Sequence, residues 1–156
     1  MAVEIRRAGI EDLDLLMDWR VEVLQEVFDL PAGGVPPELV EANRRYYREE
    51  LATGGHVACF ALLDGQLVGC GGVCIQREMP SPDNQSGING YLMNIYTRTC
   101  WRGRGVGRAV VEWLVGQAHE LGAGKVYLET TADGRPLYQA VGFADLPDIM
   151  KLEARP

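Results

Sequence analysis

Between positions 102 and 108 the chain reads RGRGVGR, so that Arg102, Arg104 and Arg108 alternate with Gly103, Gly105 and Gly107 around Val106. An apolar run ends just before this stretch and a helical pattern starts inside it. Such a turn suits an anion. The first N–H groups of a helix have no partner within the helix, and the helix dipole places partial positive charge at that end. Glycines let the main chain approach phosphate oxygens closely, and arginines add charge-assisted donors. The chemistry expected of 102–108 is therefore capture of a phosphate-bearing cofactor. Two familiar phosphate loops are excluded by spacing. A Walker A loop needs Lys and Ser/Thr after its last glycine, and Gly107 is followed by Arg108 and Ala109. The dinucleotide fingerprint needs a third glycine three residues after its second, where Gly105 leads to Arg108. The bland alternative is a solvated basic turn whose glycines serve only tight packing.

The elements that must hold this turn follow from periodicity. Residues 3–6 alternate as a strand, and 10–28 place Leu13, Leu16, Met17, Leu24, Val27 and Phe28 at helical spacing. Pro36 and Pro37 pre-set a second helix that continues through 38–51. The apolar runs 56–63 and 66–76 are joined by Asp64-Gly65, a strong hairpin signal. Residues 77–87 read as a polar, proline-bearing loop, and 88–97 as the strand that feeds the arginine–glycine turn. A helix from 105 ends at Leu121-Gly122. A strand over 125–131, a short helix over 136–140 and a final strand over 149–152 complete the order β-α-α-β-β-β-α-β-α-β. The expected fold class is an α/β sandwich, with a mixed, mostly antiparallel sheet and helices on both faces.

Composition narrows the function classes. At 156 residues the chain is expected to form one domain, residues 1–156, with a core of ordinary size. A formal net charge of −7 argues against nucleic acid as a partner and fits a cationic acceptor slightly better. No run reaches the roughly 18–20 apolar residues needed to span a bilayer, and the charged N-terminal stretch is unlike a signal peptide. The expectation is a cytoplasmic protein without a membrane partner. Cys59, Cys70 and Cys74 lie in apolar runs as buried thiols, and neither the cysteines nor His56 and His119 have metal-site spacing, so no metal is expected.

Arg102-x-x-Gly105-x-Gly107 resembles the Arg/Gln-x-x-Gly-x-Gly/Ala signature of the GNAT superfamily of N-acetyltransferases. The setting strengthens the match: LMNIYT precedes the signature, a long helix follows it, and then come VYLETT and GRPLYQAVGF. The last stretch is similar to that family's Leu-Tyr-x-x-x-Gly-Phe segment. The likeness spans the chain in element order and is strongest over 92–143.

The resemblance implies acetyl-CoA as co-substrate. Its pyrophosphate would lie on the turn formed by Arg102, Gly103, Arg104, Gly105, Val106, Gly107 and Arg108. Its pantetheine arm would add beside the strand at Ile95, Tyr96 and Thr97, with a main-chain N–H there polarising the thioester carbonyl. Tyr138 takes the position of the family's general acid. A free tyrosine has a pKa of about 10 and a thiol about 8.5, so full transfer to a thiolate is uphill by roughly 2 kcal/mol. Tyr138 is then better described as a hydrogen-bond donor to developing charge, and the plain alternative is packing against Phe143.

The sequence departs from the pattern at the base. Many relatives carry a glutamate on the strand before the turn, whereas residues 87–101 contain no Asp, Glu or His. Asn94 stands there and is expected to orient the acceptor or simply to bond within the strand. Glu129 and Asp133 are the nearest acidic candidates, with a relayed water as the other option. The acceptor pocket is expected from the first two helices and the 77–87 loop, including Arg44, Tyr46, Tyr47 and Arg48, with Trp19 and Tyr91 as further aromatic candidates. The function implied is acetyl transfer to a primary amine of a small molecule or peptide by direct attack. The second reading is a sensing module that holds acyl-CoA without turnover. The state of assembly stays open, with a homodimer among the candidates.

Overall fold

The computed structural model of the chain describes residues 2–155. One sheet carries five strands in the order β1-β2-β3-β4-β5: β1 (Glu4–Ala8), β2 (His56–Leu63), β3 (Gln66–Arg77), β4 (Ile88–Thr97) and β5 (Lys125–Leu128). The first four run antiparallel in sequence, and β5 joins β4 in parallel. Around them lie α1 (Leu13–Val27), α2 (Pro37–Thr53), α3 (Val106–Glu120) and α4 (Arg135–Val141). At Asp64-Gly65 both residues have positive φ, 50° and 78°. That is the geometry a two-residue hairpin loop requires, and it sets the β2–β3 register.

The two-residue period of β2 sorts its side chains between two cores. Val57, Cys59, Ala61 and Leu63 pack with Val106, Val110, Val111, Leu114 and Ala118 of α3. Ala58 and Phe60 face the other way, toward Leu16, Met17, Trp19 and Val23 of α1 and Tyr47 of α2. Both faces of the sheet are therefore covered, as expected. Each fully buried Val or Leu contributes roughly 1.5–3 kcal/mol by leaving water.

Helix α3 is seated unusually low on the sheet because glycine lies beneath it. A Cβ on Gly71 would stand 2.5 Å from Val110 Cγ1 and 2.9 Å from Leu114 Cδ1, and one on Gly90 would stand 2.8 Å from Ala118 Cβ. At the helix start, a Cβ on Gly69 would meet Val106 Cγ1 at 3.0 Å and the Tyr96 carbonyl at 2.8 Å. The first turn of α3 is thus held against the end of β4.

Strand β5 is short, and this opens the sheet. It pairs with β4 only from Asn89↔Lys125 to Leu92↔Leu128, while β4 runs on to Thr97. Among the described residues, no strand lies beside 93–97 of β4 on that side. The expected extension of β5 to 131 does not form, because residues 129–131 diverge from β4 without regular structure. The final strand expected over 149–152 is also absent. Those residues carry no regular structure, with Met150 96% and Leu152 85% exposed. Apolar alternation there meets no pairing edge, and alternation alone cannot supply the ladder hydrogen bonds. The 77–87 loop is more ordered than its polarity suggests: buried Asn84 donates to Glu78 Oε1 at 3.0 Å and to Asn89 Oδ1 at 2.6 Å. Lys125 closes on the same Glu78 carboxylate at 3.1 Å.

The low seat of α3 gives a direct stability test. Gly71→Val should lower the unfolding free energy by about 1–3 kcal/mol through overpacking. Gly116→Ala, in the same helix but with no atom within 4 Å of the added Cβ, should raise it by roughly 0.5–1 kcal/mol. Denaturant titration of both variants reads the contrast.

Candidate active site

The mouth of α3 leaves its first main-chain N–H groups open, while its arginine side chains are engaged elsewhere. Gly103 and Gly105 hold φ of 75° and 81°, the left-handed region that costs other residues free energy. Nothing stands within 4 Å of where a Cβ on either would lie, so the space before the turn is open. The helix has no side-chain cap and no acid in its first turn. Among the described residues, no acceptor meets the N–H groups of Val106, Gly107 or Arg108, and the first bond at this end runs from Ala109 to the Gly105 carbonyl at 3.1 Å. The arginines, by contrast, are all engaged. Arg102 Nε donates to the Thr97 carbonyl at 2.9 Å and Arg108 Nε to Glu112 at 2.8 Å. Arg104 lies over the Trp101 ring at 4.9 Å.

Strand β4 leads into this mouth through an irregularity. Its pairing with β3 slips between Cys70 and Gly72, opposite Asn94 and Ile95, and Asn94 has φ of 61°. A side chain held there costs of the order of 1 kcal/mol or more, and such strain collects at working sites. The bulge turns Ile95 toward α3, where its Cδ1 approaches Gly71, and leaves Tyr96 on the α1 side against Trp19. Just beyond the strand, Arg98 grips Glu22 of α1 with two hydrogen bonds of 3.1 and 3.0 Å and lies 4.2 Å over the Trp19 ring. The same contact holds the Glu22 carboxyl below the usual carboxylate range. Helix α1 is thereby fixed beside the open edge.

Between α1, α2 and the bulge lies a cavity of about 270 Å³ lined by Arg20, Asn43, Tyr46, His56, Met93 and Asn94, with Ala42, Tyr47 and Cys74 completing its wall. Arg20 donates through Nε to Asn43 Oδ1 at 2.8 Å and through Nη1 to Asn94 Oδ1 at 3.0 Å. Deeper in, the Tyr46 hydroxyl meets His56 Nδ1 at 2.8 Å and Cys74 Sγ at 2.9 Å. Burial, reinforced by the Arg20 charge, pushes the His56 pKa down to about 4, so the ring is neutral near pH 7. Burial raises the Cys74 thiol against a smaller opposing effect of its Tyr46 contact.

The expected catalytic residues fall around two different cavities, and none of Ile95, Tyr96, Thr97 or residues 102–108 lines either. Asn94 lines the one just described. Tyr138 and Glu129 line a larger one of about 1050 Å³ between β5, α4 and the 144–151 segment. Tyr138 makes an edge-to-face contact with Phe143 at 6.0 Å, and burial raises its pKa. Its neighbour Leu137 approaches Gly107 at the mouth of α3, near Thr97. The Glu129 carboxylate acts on Tyr91, whose hydroxyl is pushed up to about 12, first by burial and then by that charge. Asp133 lines neither cavity.

Of the residues expected to form the acceptor pocket, Tyr46 and Tyr47 line the smaller cavity, whereas Arg44, Arg48, Trp19, Tyr91 and the whole 77–87 segment do not. Trp19 is core, 3% exposed, Tyr91 stacks on Tyr127 at 4.9 Å, and the loop is strapped to the opposite ends of β4 and β5. Arg20, His56, Cys74 and Met93 were not expected there. Arg20 did carry a signal. It falls on the stripe formed by Leu16, Met17, Val23 and Leu24, a lone charge on a helix face that is otherwise buried.

Comparison with known proteins agrees with this architecture. The sequence profile of the acetyltransferase (GNAT) family matches residues 18–143. Glucosamine 6-phosphate N-acetyltransferase 1 of Oryza sativa subsp. japonica is 30% identical over 113 residues, covering 70% of this chain and 67% of the relative. A predicted acetyltransferase from Clostridium acetobutylicum, solved with acetyl-CoA, superposes with a TM-score of 0.83 at 27% identity, over 97% of this chain and 96% of that one. The glucosamine-6-phosphate N-acetyltransferase of Arabidopsis thaliana shares the fold, with a TM-score of 0.72 at 22% identity over 98% and 99% of the two chains. A glycine-opened helix mouth beside a strand that loses its neighbour, in a chain so matched, leads to one conclusion: the protein belongs to the acetyltransferase (GNAT) family of N-acetyltransferases.

Proposed function

We propose that the protein transfers an acetyl group from acetyl-CoA to the primary amine of a small molecule, by direct attack within a ternary complex. The observation that carries this reading is the continuity of the unpaired β4 edge, residues 93–97, with the open mouth of α3. The residues present fit the co-substrate. Unpartnered N–H groups of Val106, Gly107 and Arg108 suit a diphosphate, and the free edge at Ile95, Tyr96 and Thr97 suits a polar, extended arm. Bound acetyl-CoA would supply the thioester: its carbonyl carbon would bond to the nitrogen of the neutral amine as its bond to sulfur breaks, with coenzyme A leaving as the thiolate and the proton shed by nitrogen passing to water. Two relatives named above act on glucosamine 6-phosphate, in keeping with a small acceptor and a cavity of about 270 Å³.

Each candidate residue has a defined part. A main-chain N–H of β4 beside the Asn94 bulge stabilises charge on the carbonyl oxygen, an effect of about 3 kcal/mol for one well-placed donor. Asn94 orients the acceptor through Arg20. Tyr138 donates a hydrogen bond toward the departing sulfur. Because burial raises its pKa above that of an ordinary tyrosine, it keeps its proton and acts by hydrogen bonding. No carboxylate lines the smaller cavity, and His56 with a pKa of about 4 is too weak a base to deprotonate an alkylammonium. Glu129 acting through water is the remaining side-chain candidate, and otherwise the reaction draws on amine that is already neutral. The absence of a lining carboxylate also favours the second reading, a sensing module without turnover. Acetylated product at pH 8–9, with any amine, eliminates it.

Three outcomes test this account. Gly105→Ala should weaken coenzyme A binding about tenfold by straining the turn, whereas Arg104→Gln should cost less than about threefold, because main-chain amides do the holding. Calorimetric titration compares them. Tyr138→Phe should lower kcat by roughly 10- to 100-fold with little change in the KM for acetyl-CoA. In the intact enzyme kcat/KM should rise about tenfold per pH unit up to the acceptor's own pKa, as the neutral amine fraction grows. An inflection near pH 6–7 that is lost in His56→Gln would make His56 the base and contradict its assignment as neutral and non-catalytic.

A further inference from the structure

The whole chain is acidic, yet the smaller cavity holds the opposite charge. Its lining contains one cation, Arg20, and no carboxylate. Arg20 spends Nε and Nη1 on two asparagine oxygens, which are neutral acceptors and leave the charge uncompensated. Its Nη2 has no hydrogen-bond partner among the described residues, and no carboxylate lies within ion-pair distance of its guanidinium. The two carboxylates nearest this cluster in effect are Glu22 and Glu50. Neither lines the cavity, and Glu22 is already held by Arg98.

The field of this one cation reaches its neighbours. It acts on His56, Tyr47, Cys70 and Cys74, in each case favouring the form with more negative or less positive charge, although burial is the largest influence on all four. A guanidinium fixed by two side chains in the wall of a cavity, with Nη2 free of protein partners among the described residues, can donate to a carboxylate or phosphate oxygen. Lying in a partly desolvated wall, it repels a second cation. A polyamine or a multiply charged aminoglycoside would bring ammonium groups against Arg20 with nothing to receive them.

We propose that the acceptor is a small amine bearing an anionic group, a carboxylate or a phosphate, and that Arg20, braced by Asn43 and Asn94, binds that group. The proposal rests on the acetyl-transfer reading for the word acceptor, but the anion site itself does not. It also reverses the slight expectation of a cationic acceptor drawn from overall charge. The charge that selects a ligand is the charge that faces it, and distant surface acids are screened within about 8–10 Å at ordinary ionic strength. Asn94 then does two things at once: its left-handed backbone shapes the β4 bulge, and its side chain steadies the arginine that positions the amine.

The test uses two matched pairs, glucosamine 6-phosphate against glucosamine and alanine against alaninamide, with spermidine as a cationic probe. Binding to the full chain is measured by NMR titration with and without coenzyme A, and turnover by thiol release. The anionic member of at least one pair should bind ten- to 100-fold more tightly than its partner, and which pair responds separates phosphate from carboxylate. In Arg20→Gln that preference should fall below about threefold, and Arg20→Lys should restore part of it. Coenzyme A titration of each variant reports whether the fold is intact. The proposal is overturned if the members lacking the anionic group, or spermidine, bind as well as the anion-bearing ones in the wild type, a comparison that needs no variant, or if Arg20→Gln keeps the preference. Anion-selective binding without any turnover would sustain the site and sink the acetyl-transfer reading. Turnover indifferent to the anionic group would do the reverse.

Discussion

Three main-chain N–H groups at the start of α3 have no acceptor among the described residues, and the surrounding structure keeps them that way. Left-handed Gly103 and Gly105 turn the chain out of the way and leave open space before the helix. The low seat of α3 on Gly71 and Gly90 presses the helix onto the sheet, and Gly69 brings Val106 to the end of β4. The arginines, expected from the sequence only to add charge-assisted donors, are each turned back onto the protein at Thr97, Trp101 or Glu112. Their charge assists an anion, but their geometry is fixed without one.

The second dependency is the early end of β5. Because that strand stops at Leu128 while β4 continues to Thr97, a stretch of main chain stays free beside the helix mouth. The β4 bulge at Asn94 then carries the consequences to the other face of the sheet. Its backbone departs from regular pairing and its side chain engages Arg20. Helix α1 is pinned in place by the paired contacts of Arg98 with Glu22 and Trp19. The open β4 edge and the smaller cavity thus meet at one irregular strand.

Much of this was legible from local chemistry. The bounds of β2 and β4 follow from apolar runs with clear punctuation, and Asp64-Gly65 could hardly be read as anything other than a tight turn. The turn before α3 was legible because its left-handed positions, Gly103 and Gly105, are what the glycine spacing reports. The final strand over 149–152 was not, since a strand exists only where an edge accepts it and no local pattern encodes the partner. The smaller cavity was the hardest part. It draws Arg20, Asn43, His56, Cys74 and Asn94 from two helices and three strands, so no spacing rule unites them. Arg20 was visible only as an intrusion on an apolar stripe, and its meaning depended on which asparagines the fold would bring beside it.

The central claim concerns amides, and amide-resolved NMR addresses it most directly. On titration of the isotopically labelled protein with coenzyme A, the N–H signals of Val106, Gly107 and Arg108 should move downfield together and saturate at one common affinity, as they gain an acceptor for the first time. If those three signals stay in place while the arginine Nε signals shift, the ligand is held by side chains and the account given for the helix mouth is wrong.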